Sequence, residues 1–124
     1  MQLGAFSISL TVKDIGRSRQ FYQKLGFSVV GGNQEQKWLI LRNGTTTIGL
    51  FEGMFDRNTL TFNPGWDASC ARVDGFKDVR TIRSELEALG VEVTDGNTGD
   101  RDEGPAHIVI RDPDGNPILI DQHI

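Results

Sequence analysis

Hydrophobic and hydroxyl-bearing side chains alternate over residues 6–12, FSISLTV. A period of two is typical of a β-strand with one buried face. The other face carries only hydroxyl groups, including those of Ser7 and Ser9, and suits the lining of a partly polar cavity. Asp14 then fits a helix N-cap, and the helical hydrophobic pattern that follows ends at Gly26, a C-terminal signal. The pattern predicts a strand followed by a helix.

Three further strands are predicted at residues 27–30, 37–41 and 46–51, and turn residues rich in glycine and asparagine separate them. Residues 53–65 combine turn formers with large hydrophobic residues. Simple linkers are less aromatic than this, so we expect a connection that folds down against an apolar surface.

The same pattern then returns. A strand is predicted at residues 66–73, Asp74 is the predicted cap of a helix that ends at Gly90, and a short strand follows at 91–94. After a polar loop over 95–105, the apolar runs 107–111 and 117–122 flank the turn sequence DPDGN and predict a β-hairpin. The chain therefore reads as two β-α-β-β-β modules, an α+β fold.

Composition and charge argue against several classes of binding partner and location. The 124 residues carry 13 basic and 17 acidic side chains, a net charge of −4, which argues against nucleic acid or an anionic membrane as a partner. Cys70 is the single cysteine, so no internal disulfide forms, and a reducing, cytoplasmic location is expected. No apolar run approaches the roughly 20 residues of a membrane helix, and the first residues do not resemble a signal peptide.

Three motifs in this order resemble the vicinal oxygen chelate superfamily, which includes glyoxalase I, bleomycin-resistance proteins and extradiol dioxygenases. They are LTVKD at 10–14, FYQKLGF at 21–27 and DPDGN at 112–116. The resemblance implies one domain over 1–124, with module one at about 4–57 and module two at about 66–124. It also implies curled mixed sheets around a cup-shaped, ligand-binding cavity, and a homodimer.

Catalytic members of that superfamily hold a divalent metal with His, Glu or Gln at four strand positions. Counted from the motifs, the resemblance places these positions at Ser7, Gly49, Ala68 and Leu119. None is a good metal ligand, because divalent cations need several converging oxygen or nitrogen donors. We therefore expect neither metal nor other cofactor, with Glu52 and Asp67 the only donors near the counted positions.

Seven residues are predicted to line a ligand site: Ser7, Ser9, Trp38, Phe51, Trp66, Cys70 and His107. The aromatic rings would cover an apolar or flat ligand, and His107 would hydrogen-bond it or act as a base. Each has a simpler alternative: His107 as an ordinary strand-end histidine, Trp66 as a dimer-seam or core residue, and Cys70 as a small buried residue.

Three functions follow from these expectations. The leading hypothesis is a metal-free protein that binds a small organic molecule in the cytoplasm. The alternative is a metal-dependent lyase, isomerase or dioxygenase with an atypical site built on His107 and Glu52. The third is an interaction module whose cup is filled by its own side chains.

Overall fold

The structure is a computed structural model that describes Met1–Ile124. Its strands are β1 (Ala5–Val12), β2 (Ser28–Asn33), β3 (Trp38–Asn43), β4 (Thr46–Glu52), β5 (Thr59–Asn63), β6 (Asp95–Asn97), β7 (Ala106–Arg111) and β8 (Pro117–Gln122). Its α-helices are α1 (Ile15–Lys24) and α2 (Val79–Ala88), and a 3-10 turn spans Gln34–Gln36. The order β-α-β-β-β occurs twice, which confirms the α+β class and the repeat. Neither ten-residue helix has the length and apolar character needed to cross a membrane.

Contacts divide the chain into two units. The N-terminal unit comprises Ser7–Thr59, and its strands lie in the order β2-β3-β4-β1, with β4 antiparallel to β3 and parallel to β1. The C-terminal unit comprises Met1–Phe6 and Leu60–Ile124. Its strands lie in the order β5-β8-β7-β6, with β8 parallel to β5 and antiparallel to β7.

The core of the N-terminal unit lies between α1 and one face of its sheet. Its buried members are Ile15, Leu39, Leu41, Ile48 and Leu50. Alternate residues of β1 pack against this core, so the strand's serines lie on the opposite face, as predicted. Asp14 caps α1 by accepting a hydrogen bond from the backbone N–H of Arg17, which confirms the predicted helix start.

The core of the C-terminal unit lies between α2 and the β7–β8 hairpin. Its buried members are Val79, Ile82, Ala106, Ile108 and Ile120. The hairpin turn is held by Asp112, whose Oδ1 accepts from the backbone N–H groups of Asp114 and Asn116 at 2.9 and 2.8 Å. This carboxylate stabilises the reversal locally, and the predicted hairpin is confirmed.

The strand predicted at residues 66–73 is wrong. The module's first strand is β5, which lies inside the segment interpreted as a connection. Leu60 and Phe62 pair in register with Ile118 and Ile120 of β8, while residues 66–73 form turns with one isolated bridge from Trp66 to Arg72. Pairing with a buried strand outweighed the turn signals that flank β5.

The predicted start of α2 is also wrong. Its N-cap is Asp78 and not Asp74, because Asp78 accepts a hydrogen bond from the N–H of Arg80. The strand predicted at 91–94 is replaced by β6, which begins at Asp95 inside the predicted loop. Strand β2 does not end at Val30, as predicted, but continues to Asn33 across an irregularity in its pairing with β3.

Candidate functional site

Four of the predicted ligand-binding residues share one face of the N-terminal sheet. Ser7 and Ser9 lie on β1, Trp38 on β3 and Phe51 on β4, all opposite the α1 core. Across the strands, Ser9 is in register with Gly49, and Phe51 is in register with Trp38. We call these four residues and Gly49 the hydroxyl–aromatic face.

The centre of the hydroxyl–aromatic face is covered by an aromatic ring. A Cβ atom at Gly49 would lie 2.5 Å from Cε2 of Phe51, so the Phe51 ring rests directly on the Gly49 backbone. The ring of Phe55 lies 5.2 Å from that of Phe51, centroid to centroid. Thr11 fixes this arrangement, because its Oγ1 donates a hydrogen bond to the carbonyl oxygen of Phe55 at 2.9 Å.

Two of the counted metal positions lie in the N-terminal unit, at Ser7 and Gly49, and supply at most a hydroxyl group. In the C-terminal unit Ala68 lies in an exposed turn, so its assignment to a strand is wrong. The β5 residue in register with Leu119 is Thr61. No cluster of three or more His, Cys, Asp or Glu side chains is arranged to hold a metal ion. The side chains present do not fit a divalent metal centre at these positions.

The carboxylate nearest to Gly49 in sequence has a structural role. Oε1 of Glu52 accepts a hydrogen bond from the N–H of Ile15 at 3.0 Å, at the first residue of α1. Its Oε2 lies 3.1 Å from Nζ of Lys37. The Ile15 bond, followed by Lys37, lowers the pKa of Glu52 below its usual value. Asp67, the other nearby donor, accepts from two backbone N–H groups within its own turn.

The C-terminal unit contains an open cavity of about 490 Å³ beside the end of β6, the start of β7 and the end of β8. Its lining includes Asn97, His107, Asp121, Gln122 and His123. Residues 97 and 121 are the register partners of His107 on either side, which places one histidine between an amide and a carboxylate.

A second histidine at this cavity is held by a carboxylate. Nε2 of His123 lies 2.9 Å from Oδ2 of Asp121, and the His123 ring centroid lies 5.0 Å from the ring of Trp66. The hydrogen bond to Asp121 raises the pKa of His123, against the opposing effect of partial burial. The ring remains half exposed and so accessible to a ligand.

The side chain of Gln122, which also lines the cavity, is only 1% exposed. Its Oε1 accepts from the N–H of Val79 at 2.7 Å, and its Nε2 donates to Oδ2 of Asp78 and to the Gly104 carbonyl, each at 2.9 Å. Desolvation raises the pKa of Asp78, but hydrogen bonds from Gln122 and Arg80 outweigh it and the pKa lies below its usual value. The hydrogen bonds of the Gln122 side chain therefore link β8 to the start of α2.

The two other residues predicted for the ligand site in this unit, Trp66 and Cys70, lie in different surroundings. Trp66 follows a turn in which Oδ1 of buried Asn63 accepts from the N–H of Gly65. Its ring lies 5.0 Å from that of His123, but Trp66 is not among the residues that line the cavity. Cys70 lies in an exposed turn and not in a strand. Of the cavity residues, only His107 was predicted.

Sequence reasoning missed Asp121 and His123. The available signal was the spacing of 107, 121 and 123 around the hairpin, because opposed residues on paired strands project from the same face.

Comparison with known proteins agrees with this architecture. Residues 4–120 match the family model described as the Glyoxalase/Bleomycin resistance protein/Dioxygenase superfamily. The chain is 33% identical over 119 residues to the virulence protein STM3117 of Salmonella typhimurium, covering 93% of this chain and 81% of that protein.

Solved structures show the same fold. A superfamily member from Vibrio splendidus 12B01 superposes with a TM-score of 0.66 at 14% identity, covering 94% of this chain and 97% of that chain. Homoprotocatechuate 2,3-dioxygenase from Arthrobacter globiformis gives a TM-score of 0.58 at 17% identity, over 98% of this chain and 36% of the enzyme. The chain belongs to the glyoxalase/bleomycin resistance protein/dioxygenase superfamily.

Proposed function

We propose that this protein binds a small organic molecule without a metal ion, in the cavity around His107. The observation that carries the proposal is the open cavity itself, whose volume of about 490 Å³ is large enough for a small ligand that stays partly exposed to solvent. Its wall brings together the side chains of Asn97, His107 and Asp121, which offer hydrogen-bond donors and acceptors to a polar group.

The lack of metal donors supports the metal-free part of the proposal. Gly49 has no side chain, and the Phe51 ring occupies the space that a side chain there would enter. Glu52, a donor in the alternative enzymatic hypothesis, already holds the start of α1 and Lys37. Moving it toward a metal would expose the Ile15 N–H and break the ion pair.

The binding part is tested with dialysed protein and a library of small aromatic and polar fragments, using NMR chemical shifts. Fragments are expected to shift the signals of Asn97, His107 and Gln122. His107→Phe, which removes the hydrogen-bonding group and fills space, should weaken binding by about tenfold, the value of one net hydrogen bond. Leu89→Phe is the matched control, because it adds the same ring at a position that is 74% exposed.

Fragments that shift no cavity residue, or that bind equally well to the His107→Phe variant, would contradict the proposed site. Elemental analysis of purified protein tests the metal-free part and should find no stoichiometric metal. One Ni, Zn, Mn or Fe ion per chain, lost on replacement of Glu52 or His107, would instead support a metal-dependent lyase, isomerase or dioxygenase.

The proposal also includes a homodimer in the cytoplasm. Sedimentation velocity tests the oligomeric state, and a single species with the mass of one chain would refute the dimer.

A further inference from the structure

One side of the cavity is formed by the loop that joins β6 to β7, which we call the 98–105 loop. Two of its residues, Gly99 and Pro105, line the cavity. Residues 99–103 and Pro105 are exposed, so the side chains of this stretch do not anchor the loop by packing. The position of the loop therefore depends on the hydrogen bonds that its backbone makes.

Three of these hydrogen bonds come from one guanidinium group on α2. Nε of Arg80 donates to the carbonyl oxygen of Thr98 at 3.1 Å. Nη1 donates to the carbonyl of Gly104 and Nη2 to that of Glu103, each at 3.2 Å. Thr98 and Gly104 each directly precede a residue that lines the cavity. A single side chain thus holds the backbone beside both lining residues of the loop.

The guanidinium group is itself held in place. Nη1 of Arg80 lies 3.0 Å from Oδ1 of Asp78, and the arginine side chain is only 17% exposed. Nε2 of Gln122 donates to Oδ2 of Asp78 and also to the Gly104 carbonyl, each at 2.9 Å. Arg80, Asp78, Gln122 and the Gly104 carbonyl therefore form a closed hydrogen-bond network, in which each member orients the next.

We propose that Arg80 is the positioning residue of the cavity, because it holds the 98–105 loop in the arrangement that binds a small ligand. This inference rests on the proposed function, since it concerns the same cavity. Arg80 does not line the cavity, so it acts through the loop and not by touching the ligand. Without these bonds the loop samples other arrangements, and the apparent affinity falls with the fraction of molecules in which the loop is in place.

Arg80→Lys tests this role. Lysine keeps the positive charge beside Asp78 but replaces the planar, five-donor fork with one ammonium group, which cannot span carbonyls at both ends of the loop. Arg83→Lys is the matched control, because it makes the same change on the same helix at a side chain that is 38% exposed and pairs with Glu87.

The order of the loop is measured by ¹⁵N relaxation NMR without any ligand. Order parameters of residues 99–104 should be near the rigid value of about 0.85 in the parent and in Arg83→Lys, and below about 0.6 in Arg80→Lys. A measurement on the parent alone supports this one. The Nε–H of Arg80 should exchange with water at least about tenfold more slowly than that of Arg83, because its bonded proton is better shielded.

Benzamide is the binding probe, because its amide offers both a donor and an acceptor to the polar side chains of the cavity. Its affinity, followed by the NMR shifts of Asn97 and His107, should fall about tenfold in Arg80→Lys, as expected if the loop is in place one tenth of the time. In Arg83→Lys the affinity should change by less than about twofold.

The outcomes separate the two proposals. An ordered loop in Arg80→Lys, or an unchanged affinity for benzamide in that variant, would overturn the positioning role and leave the binding function standing. Equal exchange rates at the two arginine Nε–H groups would overturn it even if Arg80→Lys did not fold. If neither benzamide nor the fragment library shifts any cavity signal of the parent, the proposed function is refuted and this inference with it.

Discussion

Replacing Gln122 with Leu is expected to destabilise the protein and to alter the cavity together. The side chain is buried and bridges Val79, Asp78 and Gly104 through its amide group. Leu has a similar volume but no polar atoms, so the buried N–H at Val79 loses its acceptor. An unsatisfied buried group costs about 1–3 kcal/mol, and the loss of a donor to the Asp78 carboxylate adds to this.

Arg80 still pairs with Asp78 in the variant, and burial of the Leu side chain is favourable. Both effects offset part of the cost of losing the Gln122 donor to Asp78. We expect a total loss of about 2–4 kcal/mol of unfolding free energy. For a domain of this size, that corresponds to a fall in melting temperature of about 10 °C. Urea denaturation followed by circular dichroism measures the free energy, and scanning calorimetry measures the melting temperature.

Two further variants make the result specific. Gln20→Leu changes an exposed glutamine of α1 and should stay within about 0.5 kcal/mol of the parent. Gln122→Glu keeps an acceptor for Val79 but places a second carboxylate near Asp78, so its deficit should shrink as pH falls and the new group is protonated. A Gln122→Leu protein as stable as the Gln20→Leu control would refute the bridging role.

The remaining predictions concern packing and pH. Gly49→Ala should cost about 1–3 kcal/mol by displacing the Phe51 ring, and a urea-based double-mutant cycle with Phe51→Leu should recover part of that cost; strictly additive losses would argue against the contact. The pKa of Glu52 is lowered on folding, so the stabilisation it gives is present above the unfolded-state pKa and disappears as pH falls through the folded-state pKa. The unfolding free energies of the parent and Glu52→Gln, measured by urea titration, should therefore converge in acid. The pKa of His123 is raised on folding, so the stabilisation it gives is present below the unfolded-state pKa and is lost as pH rises through the folded-state pKa. The unfolding free energies of the parent and His123→Gln should therefore differ in mildly acidic buffer and converge in alkaline buffer. NMR shifts of the ring follow the titration.

Local chemistry explains which elements could be predicted from the sequence. Helix α1 has its capping residue, its hydrophobic face and its terminal glycine within one short segment, so the prediction needed no distant partner. The β7–β8 hairpin is equally local, because Asp112 organises its own turn. The hydroxyl–aromatic face followed from the two-residue period of β1.

Elements held by distant partners could not be predicted in this way. Strand β5 is defined by pairing with β8, more than fifty residues away, while its own sequence contains turn formers on both sides. The start of α2 depends on Gln122, whose amide oxygen accepts from Val79 across 43 positions. The pattern pointed to Asp74, whereas the observed cap, Asp78, accepts a hydrogen bond from Gln122 of β8.

The same reasoning explains why the cavity was only partly foreseen and why its chemistry follows from the hairpin. The search for metal donors directed attention to Ala68, which lies in a turn, and to Leu119, whose partner on β5 is Thr61. The polar groups lie instead two residues beyond Leu119 along β8, where Asp121 pairs with His107 of β7. His123 lies beside the Asp121 carboxylate. The carboxylate of Asp121 orients the His123 ring and favours its protonated form. Pairing across the hairpin, and not the count of metal positions, therefore explains which polar groups meet at this cavity.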